Sequence, residues 1–76
     1  MEELLTILND IQPDVDYLHC EELIDGHYLD SLDILSLVSE IEDTFDITVP
    51  TVEIIPDNFN SAQRLWDMIQ RLREEG

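Results

Sequence analysis

The chain has no lysine and only three arginines, set against nineteen acidic residues, so its net charge is −16 over 76 residues. That imbalance excludes a nucleic-acid binder, because phosphate backbones are held by basic patches. It disfavours anionic membrane surfaces for the same reason. The natural complement is a basic docking surface on another protein, with encounter steered at low salt and weakened by added salt. The alternative reading is that the charge only keeps a small protein soluble and monomeric. Cysteine is present once, as Cys20, which excludes an internal disulfide and reads as a small, partly buried apolar residue. No apolar run approaches the roughly eighteen residues that span a bilayer, and Met1-Glu2-Glu3-Leu4 lacks the basic start of a secretory signal, so a cytoplasmic location is the expectation. There is no internal repeat, low-complexity tract or linker, and residues 1–76 read as one domain.

What the chain does have is apolar residues at helical spacing. Leu, Ile, Val and Phe make up about a third of it, above the ~20% level below which disorder is expected. Leu4, Ile7, Leu8 and Ile11 form one stripe, ended near Ile11 or Gln12 by Pro13. From Pro13 to Asp30 runs a long connection with scattered apolar residues, which predicts a loop packed on the core with a helical turn near Glu21 to Ile24. Such a length of irregular chain is often functional. Ile34, Leu37, Val38, Ile41 and Phe45 give a second helix from Ser31 to Phe45 or Asp46. Val49-Pro50 reads as extended, residues 51–55 as one short helical turn, and Pro56-Asp57-Asn58 as a turn. Ser61 is the expected cap of a last helix that buries Ala62, Leu65, Ile69 and Leu72, with Trp66 and Met68 sealing its flanks. The predicted fold is all-α: a small antiparallel-type four-helix bundle of three longer helices and one short one. Its core is thin, so local mutations should matter.

Asp30-Ser31-Leu32 sits where the loop closes and the second helix opens. On residue type alone Ser31 is an N-cap, with Asp33 adding charge where the helix dipole favours it. Nothing around it suggests catalysis. A nucleophilic Ser31 or Cys20 would need an orienting base and a third group, and the only imidazoles are His19 and His27, both in the loop. The His-Cys-His set is too sparse for zinc. Asp14 and Asp16 begin a calcium-loop pattern that Leu18 and His19 break, so no metal site is expected, beyond weak divalent-cation binding to clustered carboxylates.

The wider pattern resembles the acyl carrier proteins, which hold an acyl or aminoacyl group on a phosphopantetheine arm. The resemblance spans most of the chain. It rests on Asp30-Ser31-Leu32-Asp33, on Glu40-Ile41-Glu42-Asp43-Thr44-Phe45-Asp46-Ile47, on Val49-Pro50, and on an amphipathic helix after Asn60. It implies an acyl-carrier-like fold and a protein that is not an enzyme. It further implies that a phosphopantetheinyl transferase modifies Ser31 from coenzyme A, leaving phosphopantetheine in phosphodiester linkage, with Asp30 and Leu32 beside it. The thiol would carry cargo as a thioester, and tethering would raise its effective concentration wherever the domain docks.

Partners would then be an activating ligase and downstream acyl-transfer enzymes with basic docking surfaces. The outward face of the second helix is the implied docking face: Leu32, Ser36, Ser39, Glu40 and Asp43, with Asp33 and Glu53 as further charge partners. Many fatty-acid carriers have an acid where this chain has Ser36, which puts recognition by standard fatty-acid synthase partners in doubt. Pro56-Asp57-Asn58-Phe59-Asn60-Ser61 looks more like stand-alone carriers served by adenylate-forming ligases, among them D-alanyl carriers and peptide-synthetase relatives. The same residues also suit a turn and an N-cap with Phe59 in the core. Fatty acid biosynthesis, D-alanyl transfer and other aminoacyl cargoes stay open at this level. So does a different class of function, an unmodified acidic helical interaction module.

Overall fold

The stripe Leu4, Ile7, Leu8, Ile11 folds as α1 (Glu2–Ile11) in a computed structural model that describes residues 1–75. Gln12, ahead of Pro13, is extended at φ −144° and ψ 91°, as the proline ring demands of its predecessor. Residues 13–30 form a chain of turns. Two of them close α-helix-like bonds, Cys20 N–H to Asp16 O and Gly26 N–H to Glu22 O, but neither propagates. The helical turn expected near Glu21 is therefore an isolated one. α2 (Ser31–Phe45) follows, then a 3-10 turn (Thr51–Glu53), α3 (Pro56–Phe59) and α4 (Ala62–Glu75). Pro56-Asp57-Asn58, expected as a turn, is the first part of the short helix, with Pro56 at the N-terminal position whose missing N–H costs nothing. The architecture is all-helical, as the periodicity predicts.

α1 packs on α2 and on α4, and α3 packs on α4. Leu4 and Leu8, Leu37 and Ile41, and Leu65 and Ile69 bring one stripe each from α1, α2 and α4 into a single core, closed by Phe59 of α3. Met68 belongs to this core at 1% exposure and does not seal a flank. Phe45 and Trp66 do lie at the edge, half-buried, their rings 5.9 Å apart and inclined at 68°, the edge-to-face arrangement that aromatic quadrupoles prefer.

The long loop is part of the core as well, through Tyr17, Leu23 and Leu29. Tyr17 takes up the end of α1: its hydroxyl lies 2.7 Å from Gln12 O, a carbonyl beyond the last helical bond, and 2.9 Å from Leu8 O, which also accepts from Gln12 N–H. With one proton, the phenol donates to one of them at a time. Burial, assisted by the charges of Asp33 and Cys20, pushes its pKa up to about 12.

α2 ends in a left-handed residue, Asp46 at φ 54°, after which Ile47 N–H reaches Glu42 O. The Glu42 carboxylate accepts from Val49 N–H at 2.9 Å and turns the chain back. The 3-10 turn is pinned to α4 by a two-pronged Glu53–Arg71 pair, at 2.6 and 2.9 Å.

Candidate functional site

Asp30, not Ser31, caps α2. The Asp30 carboxylate accepts from Asp33 N–H at 2.9 Å, and the Asp33 carboxylate accepts in return from Asp30 N–H at 3.3 Å, a capping box built from two aspartates. The expectation of a capping serine is thereby corrected by one residue. A carboxylate is an acceptor only and outcompetes a neighbouring hydroxyl for an N–H at the positive end of the helix.

Displaced from that duty, Ser31 is the first residue of the helix, exposed, and its Oγ makes no hydrogen bond among the described residues. Among the described residues the N–H groups of Ser31 and Leu32 likewise find no backbone acceptor, while Ile34 N–H makes the first helical bond, to Asp30 O. A hydroxyl free to be modified thus stands beside two free donors at a helix N-terminus, an arrangement that suits a phosphodiester. The carboxylates of Asp30 and Asp33 offset part of that attraction.

The outward face of α2 is as the spacing requires. Leu32, Ser36, Ser39, Glu40 and Asp43 are all exposed, Leu32 at 74%. Leu35, absent from the sequence-derived face, joins it at 64% exposure. Its position three residues after Leu32 was the available signal. The face is therefore apolar at the Ser31 end and acidic at the far end. Ser36 and Glu40 also border a shallow groove shared with Ile7, Asp10 and Ile11 of α1.

Asp33 has its internal role in the capping box. Glu53 does not stand ready as a docking charge: its carboxylate is committed to Arg71 and to the Asn58 amide at 3.0 Å. The Arg71 hydrogen bonds hold its pKa below the ordinary carboxylate range.

The loop residues form no reactive set. His19 Nδ1 pairs with Asp16 at 2.8 Å on the exposed surface. No group of three or more His, Cys, Asp or Glu side chains is disposed to hold a metal among the described residues. No helix among them is long and apolar enough to cross a membrane.

A residue that the sequence reading passed over is Asn60. It is buried at the C-terminal end of α3, just ahead of α4, and its side chain accepts from Ile24 and Asp25 N–H groups, both at 3.1 Å. It joins the corner of α3 and α4 to the loop that delivers Ser31.

With this geometry in hand, comparison with known proteins is informative. Residues 2–72 match the family model described as a phosphopantetheine attachment site. The D-alanyl carrier protein of Streptococcus mutans is 38% identical over 72 residues, covering 93% of this chain and 91% of the relative. Those of Streptococcus gordonii and Streptococcus sanguinis are each 33% identical over the same shares. No solved structure matches the chain significantly.

Proposed function

The chain belongs to the phosphopantetheine attachment-site family, and on that footing we propose that it carries D-alanine, with Ser31 as the attachment residue. It is a carrier rather than an enzyme, and its prosthetic group is a covalently attached phosphopantetheine. When bound, the group supplies a terminal thiol on which an acyl unit is held as an activated thioester. The chain's own part is to present, orient and be recognised. Ser31 Oγ offers the only linking atom at the start of α2. Asp30 and Asp33 keep the helix end closed without using that oxygen. Leu32 and Leu35 give visiting enzymes an apolar contact beside the linkage, and Glu40 and Asp43 give them charge. The enzymes implied are a phosphopantetheinyl transferase, an adenylate-forming ligase and an acceptor enzyme, each with a basic docking surface.

The likeness to streptococcal D-alanyl carrier proteins over nearly the whole chain is the observation that carries the D-alanyl reading. Ser36, standing where many fatty-acid carriers have an acid, weighs in the same direction. The test is loading of the modified protein with ATP by a D-alanine-activating ligase given D-alanine or L-alanine and, in parallel, by a fatty-acid-activating ligase given a fatty acid, followed by intact mass. A gain of one alanyl residue from D-alanine, removed by hydroxylamine, is expected. Loading only by a fatty-acid-activating enzyme would overturn the cargo assignment.

A further inference from the structure

Asn60 is 8% exposed, and its side chain is directed wholly at the loop ahead of Ser31. Oδ1 accepts from Ile24 N–H and Asp25 N–H, both at 3.1 Å, and Nδ2 donates to the Asp25 carboxylate at 3.2 Å. The Asn60 carbonyl accepts from Leu23 N–H at 2.9 Å. Leu23 O in turn accepts from Leu29 N–H at 3.0 Å, and Leu29 precedes Asp30, the cap of α2. The Asn60 main chain thus ties Leu23, which holds Leu29 through its own carbonyl, and the side chain fixes the adjoining Ile24 and Asp25 at the start of the turn that leads to Ser31. Only an amide does this: Asp lacks the donor and sets a second negative charge against Asp25, while Ala leaves two N–H groups without a partner.

We propose that Asn60 is a positioning residue for modification at Ser31, holding residues 23–29 so that Asp30 and Ser31 meet the transferase in one arrangement. The inference rests on the reading of Ser31 as the attachment residue. A loosened loop leaves only a fraction of the carrier in the competent arrangement, which raises the apparent KM by the inverse of that fraction and leaves turnover at saturation intact.

The experiment measures phosphopantetheine transfer from coenzyme A to wild type, N60A, N60D and the double variant N60D/D25N, with amide exchange on the same proteins. For N60A we expect a KM raised at least about fivefold with kcat within about twofold. Exchange should quicken at least about tenfold at Ile24, Asp25 and Leu29 while Leu65 and Ile69 keep their protection. N60D should behave similarly. N60D/D25N, which returns the donor from the opposite side of the same contact, should recover most of the wild-type KM. If N60A does not fold, the N60D pair carries the test. Faster loop exchange with an unchanged KM, or no recovery in the double variant, overturns the positioning role. Wild type that gains no mass at all overturns the attachment reading, and the positioning role with it.

Discussion

At the scale of single residues, burial decides what a substitution does. Phe59 is 1% exposed and closes the core, so Phe59→Ala should cost about 3–5 kcal/mol. Phe45 is half-buried against Trp66, and Phe45→Ala should cost about half as much. Urea unfolding checks both, and equal losses would contradict the packing described. Some residues were readable in the sequence only by type. An acid and a serine side by side at a helix start leave open which one caps, and the choice of Asp30 is what leaves the Ser31 hydroxyl free. In the loop ahead of α2 it is His27, not Gly26, that takes the left-handed conformation, at φ 62°. Gly26 is needed because a Cβ there would lie 2.7 Å from Glu22 O and 2.8 Å from the Tyr28 ring. Asn60 was not legible as a clasp, because its partners lie 35 and 36 residues away in sequence.

At the scale of elements, the three long helices follow from apolar spacing, and their ends from Pro13, Asp30 and Ser61, whose Oγ accepts from Arg64 N–H at 3.1 Å. The short turn expected within residues 51–55 is the 3-10 turn Thr51–Glu53, whereas the four-residue helix Pro56–Phe59 was read as a plain turn, because it is too short to show a period. The Glu53–Arg71 pair pins the 3-10 turn to α4, and its pH dependence has a definite sign. Because the folded state lowers the Glu53 pKa, the contribution is complete above the unfolded value near about 4.3 and is lost as pH falls through the lowered folded value. Glu53→Gln should reduce Tm at pH 7, with the gap to wild type closing in strong acid. A gap independent of pH would contradict the pairing. On α2, reversing Glu40 and Asp43 to lysine should slow modification and ligase loading by about tenfold at low salt with no loss of Tm, since both side chains are exposed and the change relieves like-charge repulsion. Unchanged kinetics would reject the acidic half of the docking face.

At the scale of the whole molecule, sixteen net negative charges are confined within 32 × 23 × 21 Å. At about 0.01 M salt the screening length is near 30 Å, so every charge feels every other, while at about 1 M it is near 3 Å. Thermal unfolding should therefore move up by several degrees across that range, and a Tm that falls would show that self-repulsion does not limit stability. On the proposed reading the charge that costs stability also draws basic partners to the face beside Ser31, so the same salt should slow their association. On the proposed reading all of this serves one atom, the Oγ of Ser31, left free by the aspartate that precedes it. The most direct test is to incubate wild type and Ser31→Ala with coenzyme A and a phosphopantetheinyl transferase, then locate the adduct by peptide mass. The account predicts one phosphopantetheine on the peptide containing Ser31 and none on the variant. An adduct on any other residue, or none on wild type, would contradict it.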